Sequence, residues 1–238
     1  MDAGLINELR DQYGIVFNDI ALLDEAFTHS SYKNEHKELA LKDNERLEFL
    51  GDAVLELTVS EYLYKKYPQL PEGKLTRLRA AIVQTKSFSS FSKEAHFDQY
   101  IRLGKGEEQA GARKRLTLLE DLFEAFNGAL YLDQGKDAVV RFITQVIFPK
   151  IDAGDFSYAL DHKTNLQEYL QRNGEVAIEY HVLSENGPDT AHRFKVDVEA
   201  DGKVLGTGTG KNKKAAEQMA AAEALASLGA DDTLLPQD

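Results

Sequence analysis

The chain has 238 residues, room for one large domain or two smaller ones, and its 42% hydrophobic and 29% charged residues are ordinary for a soluble globular protein. It contains no cysteine, which excludes a disulfide framework and any thiolate metal site. A formal net charge of −12 argues against a nucleic-acid partner unless a compact basic patch or divalent cations offset it. No stretch approaches the ~18 apolar residues that span a membrane. The opening MDAGLINELRDQYG has neither the basic start nor the apolar run of a signal peptide. The expectation is a cytoplasmic protein without membrane contact.

In chain order, apolar residues recur at three- and four-residue spacing over Asn7–Tyr13, Asp19–Phe27, Glu45–Tyr67, Lys74–His96, Leu118–Asp133 and Lys136–Ile151. Each is read as a helix. Gly14, the stretch 68–73, GKGEEQAGA at 104–112 and Gly135 separate them as breakers. No clear β alternation appears before about residue 175. Lys163–Asn173 reads as a short helix closed by Gly174. Val176–Leu183, Phe194–Val198 and Lys203–Gly208 read as strands, with Asp201-Gly202 as a hairpin turn. Lys211–Leu228 reads as an alanine-rich helix. The expected organisation is an all-α domain over 1–152, a linker over 153–160, a small α-β-β-β-α domain over 161–229 and a frayed tail over 230–238.

The segment NERLEFLGDAVLELTVSE carries the strongest chemical signal. At ~100° per residue, Glu45, Glu48 and Asp52 lie in one stripe about 60° wide. Glu56 lies on it as well. The rest of the circumference is largely apolar (Leu47, Phe49, Leu50, Val54, Leu55, Leu57), as in a helix inside a domain. A second acid pair, Asp121 and Glu124, sits in the apolar LLEDLFEAFNGALYLD. Like charges at such spacings repel and partial burial raises the cost, so something positive must compensate. If the stripes face each other, the all-oxygen donor set suits Mg²⁺ or Mn²⁺ and not zinc. A solvated acidic face with Lys and Arg partners is the plainer alternative. Glu61 and Glu120 lie off the stripes and read as solvent charges.

At this point the chain resembles a known family. NERLEFLGDAVLEL and EDLFEAFNGALYLD are similar to the two acidic segments of bacterial ribonuclease III. AFTHSSYKNEH, EGKLTRLRAAIV and LGKGEEQAGARKR agree with it in order and spacing. The resemblance implies that Glu48, Asp52, Asp121 and Glu124 surround a catalytic Mg²⁺, with Mn²⁺ as an alternative, and that Glu124 is the most directly essential ligand. It places the catalytic-site residue Glu45 near a subunit interface and the bound RNA. It implies a homodimer whose two sites each cut one strand of double-stranded RNA, leaving 5′-phosphates, 3′-hydroxyls and short 3′ overhangs. Processing of ribosomal and other structured RNA precursors would follow, with no organic cofactor. Phe49 and Leu50 are candidates for dimer association as well as for core packing. Ala110, Ala112, Gln84 and Asn127 depart from the family pattern, where Ser, Gly, Asn and an apolar residue are expected.

At the other end, GTGTG runs into Lys211, Lys213 and Lys214 near a helix N-terminus. The macrodipole disfavours cations there and the free N–H groups attract anions, so the cluster makes sense if phosphate docks on it. LQEYLQ, SENGPDTAHRF and GTGTGKNKKAAEQMAAAEAL together resemble the double-stranded-RNA-binding domain, a module that spans about 16 base pairs. The resemblance assigns Gln167 and Glu168 to one minor groove, Pro188 and His192 to the next, and the three lysines to phosphates. GTGTGK fails the P-loop spacing. His29, His36, His96, His162 and His181 lack ligand spacing and read as surface or hydrogen-bonded histidines. The competing function is a regulator that binds double-stranded RNA without cutting it.

Overall fold

The computed structural model describes residues 1–153, 155–156, 161–173, 176–186 and 193–229. The assigned contacts of Pro188 and His192, the closing Gly174, most of the linker and the tail from 230 fall outside the described residues. Contacts divide the chain into two compact units, Met1–Ile151 and Asp152–Asp238. Among the described residues, no helix is long and apolar enough to cross a membrane.

The first unit runs α1 (Ala3–Tyr13), α2 (Ile20–Ala26), α3 (Ser30–Glu35), α4 (Glu45–Lys66), α5 (Glu72–Ile82), α6 (Thr85–Glu94), α7 (Lys105–Gln109), α8 (Leu116–Gln134) and α9 (Lys136–Val146), and the short α10 (Phe148–Asp152) follows. Helix α8 is the hub: Leu118 to Leu130 is almost wholly buried, packed against α4, α6 and α2. Around it Phe27, Phe97, Phe123, Phe126 and Phe142 interlock, with Phe97–Phe126 and Phe126–Phe142 centroids 4.7 and 5.0 Å apart. Full burial of each such ring is worth about 1.5–3 kcal/mol, so this cluster holds the floor on which the acids stand.

Several expectations need correction. The run Lys74–His96 is two helices, because the Gln84 side-chain amide and the Ser87 hydroxyl both donate to the Ala81 carbonyl, at 2.8 and 2.9 Å. Side-chain bonds to backbone of this kind compete with helix continuation. The stretch 104–112 is not merely a breaker: it holds α7, tied to α3 by Gly104 N–H donating to Ser31 Oγ at 2.8 Å and Lys105 N–H to Glu35 Oε2 at 3.0 Å. Helix α1 starts at Ala3 because Asp2 caps it, accepting from Gly4 N–H at 2.6 Å. Helix α4 is not enclosed all round. Leu47, Leu55, Val59 and Leu63 are buried, but Phe49, Leu57 and Tyr64 are 81%, 58% and 73% exposed. The core reading of Phe49 therefore fails.

In the second unit, α11 (His162–Leu170) and α12 (Lys213–Ser227) bracket an antiparallel sheet of order β1 (Ile178–Asn186), β2 (Arg193–Ala200), β3 (Lys203–Gly210). Asp201 and Gly202 turn the β2–β3 hairpin with φ of 47° and 80°, the left-handed pair that a tight hairpin requires. Helix α12 lies directly on β3. A Cβ on Gly206, Gly208 or Gly210 would collide with the backbone of Ala215 to Ala224, which accounts for the alternating glycines of GTGTG. The strand β1 begins at Ile178, two residues later than expected, and runs on to Asn186 across a bulge between Val182 and Ser184. Lys211 precedes the helix rather than opening it, because Asn212 is the cap and accepts from Ala215 N–H at 2.8 Å.

Candidate active site

Two glycines decide where the acids meet. Gly51 in the second turn of α4 faces the backbone of Glu124, and Gly128 in α8 faces that of Leu47; a Cβ at either would overlap the opposite carbonyl. Glycine inside a helix costs about 1 kcal/mol relative to alanine, and here it lets the two backbones touch. Glu48 on α4 and Asp121 and Glu124 on α8 flank that contact. One carboxylate oxygen from each lies within 4.8 Å of the others.

The electrostatics are those of carboxylates crowded together and partly withdrawn from water. Glu124 is 8% exposed. Burial first, and then Asp52, Glu120, Glu48 and Asp121, push it up to about 8. Burial and the neighbouring acids Asp121, Glu45, Glu120 and Asp52 push Glu48 up to about 7. Burial and Glu120 push Asp121 up to about 6. Among the described residues, the causes that raise these three acids are burial and neighbouring carboxylates. The trio is partly buried, unlike a fully solvated acidic face. Oxygen donors this close and partly buried fit a hard divalent cation.

Of the other candidates, Asp52 is exposed and acts on Glu124 and Glu48 through its charge, outside the close trio. Glu45 is exposed in the first turn of α4 and likewise raises Glu48. Glu56 is exposed and does not join the group. Glu61 pairs with Lys65 and Lys136 instead. Glu120 is no bystander: it raises all three acids of the trio. Its position on the helix gave no hint of this, since helical spacing is silent on what the facing helix contributes. Gly51 and Gly128 carry the other signal, since a glycine inside an otherwise strong helix is a visible sign of close approach. His29 caps α3, its Nδ1 accepting from Ser31 N–H at 3.2 Å.

In the second unit, a cavity of about 880 Å³ is lined by Lys163, Gln167, Lys213 and Lys214, together with Glu217 and Gln218. The fold thus brings Gln167 beside two of the three lysines. Glu168 and Lys211 are exposed but do not line this cavity. Lys163, unremarked in the sequence, joins it from the first turn of α11.

Fold and site together define a class: an RNA-directed nuclease that pairs a helical unit, whose clustered carboxylates could hold a metal ion, with an α-β-β-β-α module bearing a lysine-rich face. Comparison with known proteins makes this specific. Residues 19–151 match the family described as ribonuclease-III-like, and residues 162–228 match the double-stranded RNA binding motif. The chain is 73% identical over 230 residues to Ribonuclease 3 of Latilactobacillus sakei subsp. sakei, covering 97% of this chain and all of that one. It is 62% identical over 228 residues to Ribonuclease 3 of Enterococcus faecalis, covering 96% and 99%. Among solved structures, the nuclease domain of ribonuclease III from Campylobacter jejuni matches with a TM-score of 0.56 and 36% identity, covering 63% of this chain and 97% of that one. The chain belongs to the ribonuclease III family and is an endoribonuclease acting on double-stranded RNA.

Proposed function

We propose that Glu48, Asp121 and Glu124, with Asp52 beside them, hold Mg²⁺, for which Mn²⁺ can substitute. The observation that carries this is a trio of close, partly buried carboxylates raised by burial and by one another. When bound, the ion would make its coordinated water a stronger nucleophile and stabilise charge building on a phosphodiester. The chain's own part is placement. The Gly51–Gly128 contact fixes the trio on two rigid helices, and burial of Glu124 strengthens every charge interaction there. Glu45, exposed at the head of α4, is left free to meet RNA or a partner subunit.

The remainder of the reading follows the family. Residues 1–152 form the catalytic and dimerisation domain, 153–160 the linker and 161–229 the RNA-binding domain. The enzyme is a cytoplasmic homodimer whose sites cut opposite strands, leaving 5′-phosphates, 3′-hydroxyls and short 3′ overhangs, and it processes ribosomal and other structured precursors. The exposed Leu57 and Tyr64, which line a cavity of about 440 Å³ between α4 and α5, and the exposed Phe49 earlier on α4 favour the dimer, since exposed apolar side chains that cluster on a surface mark contact sites. A solved Campylobacter jejuni relative is described as having a region involved in dimer formation of its nuclease domain. The test is cleavage of an end-labelled duplex against single-stranded RNA, with EDTA and then with Mg²⁺ restored, alongside sedimentation. Metal-dependent duplex cuts with staggered ends by a dimer are expected. Cutting in EDTA would overturn the metal assignment, and a fully active monomer would overturn the dimer.

A further inference from the structure

Among the residues lining the lysine-rich cavity is a carboxylate that ought to repel what the lysines attract. Glu217, on α12, has a side chain only 14% exposed. One oxygen lies 2.7 Å from Lys163 Nζ of α11 and the other 3.9 Å from Lys213 Nζ, one turn earlier on α12. The ammonium of Lys163 is held from a second side as well, 4.2 Å from the centroid of the Tyr180 ring on β1. The next residue, Gln218, locks the helix pair further: its Oε1 accepts from Lys163 N–H at 3.3 Å and its Nε2 donates to Asp161 Oδ1 at 2.9 Å. Three elements therefore converge on one lysine, and a single acid links it to another that faces the same cavity.

An acid so near a phosphate-binding surface is a handicap in plain Coulomb terms, because over a few ångströms salt screens it little. It can be offset by order. A free lysine surrenders its rotamer freedom when it docks a phosphate; a lysine already held gives up that freedom on folding instead. We infer that Glu217 is a positioning residue for RNA binding, which holds Lys163 and Lys213 at a set separation across the cavity, and that Lys163 is a further phosphate contact. This rests on the reading that the lysine face binds duplex phosphate.

Charge and positioning predict opposite signs, which makes the proposal testable. Glu217→Gln keeps the length of the side chain and adds one unit of positive charge. The measurement is duplex-RNA binding by the full chain in a Glu124→Gln background, titrated with salt. Positioning predicts binding weakened by about tenfold at low salt, with the slope of log K against log salt flattened by about 0.9 for each lysine released. Tighter binding with an unchanged or steeper slope would overturn the proposal. Lys163→Met keeps an apolar stem over Tyr180 and provides a second route if the first variant folds poorly, as thermal melting would reveal. It should weaken binding comparably, and the double variant should be little worse than either single one. Full additivity, or no effect of Lys163→Met, would also overturn it. Lys213→Ala with Lys214→Ala separates the two layers. If that pair flattens the slope while Glu217→Gln tightens binding, the RNA face stands and the positioning role falls. If that pair changes nothing, both fall.

Discussion

At the α4–α8 crossing, Glu48, Asp121 and Glu124 share a partly buried space in which each is raised by burial and by neighbouring acids. On the α11–α12 face, Lys163 and Lys213 share one internal carboxylate, Glu217, while their stems stay partly exposed. The two regions treat like charge in opposite ways. The acids are left in conflict, raised well above the ordinary carboxylate range, so that an ion from outside gains much by joining them. The lysines are eased by an internal partner and remain open to a ligand whose charge is spread along a backbone. The first arrangement suits the chemistry of one bond; the second suits affinity for any duplex.

The largest effect should come from the acid side. Glu124→Gln removes the negative charge of a proposed ligand at nearly constant volume. Cleavage should fall at least about a hundredfold, while duplex binding, measured by gel shift, stays within a few-fold of the parent. Gly51→Ala comes next, since a methyl at that position meets the Glu124 backbone. Overpacking of this kind costs about 3 kcal/mol, and the helices must separate to accept it. A lowered melting temperature together with lost metal affinity is expected; an unchanged melt would contradict the close-contact account.

These two regions also differ in how far they could be read from sequence. The acid stripes follow from spacing along single helices, so Glu45, Glu48, Asp52, Asp121 and Glu124 stand out at once. Which of them converge depends on how α4 crosses α8, and that is set by Gly51 and Gly128 across a contact invisible to periodicity. Glu120 was misjudged for the same reason, its influence crossing from α8 to Glu48 on α4. The α5–α6 break escaped notice because Gln84 and Ser87 end the helix with side-chain bonds while the apolar pattern runs on. In the second unit the strands and hairpin were legible from alternation and Asp201-Gly202. The Lys163–Glu217 pair was not, because it joins elements 54 residues apart.

pH sharpens the contrast. Glu124 and Glu48 are raised to about 8 and about 7 in the folded chain, so it binds more protons than the unfolded chain between their ordinary range and those values. Stability of the metal-free enzyme should therefore be higher near pH 5 and decline as pH rises toward 8. Saturating Mg²⁺ should restore stability at the upper end. Melting curves across that range, with EDTA and with Mg²⁺, check the sign; a metal-free enzyme that gains stability as pH rises through this window would contradict it.

Two smaller effects follow. Lys213→Ala with Lys214→Ala should weaken duplex binding equally for different sequences, because phosphates carry no base identity. It should flatten the salt dependence by nearly 2, on the order of 0.9 per contact, with the fold retained because alanine favours the helix and relieves the conflict with its dipole. The smallest concerns Asn127, fully buried on α8, whose amide donates to the Phe123 carbonyl at 2.8 Å while its own Oδ1 has no partner among the described residues. Asn127→Leu keeps the number of side-chain heavy atoms and removes a buried unsatisfied acceptor, so it should raise stability by about 1 kcal/mol with cleavage unchanged.

The most direct test of the crowded-acid account is calorimetric titration of the metal-free enzyme with Mg²⁺ at pH 7, repeated in buffers of different ionisation enthalpy. Because Glu124 and Glu48 carry protons over that range, binding at the trio must release them. The account predicts saturable binding with about one proton released per ion, and weaker binding with less release in Glu124→Gln. Binding that releases no proton, or that is indifferent to Glu124→Gln, would place the metal elsewhere and contradict the central claim.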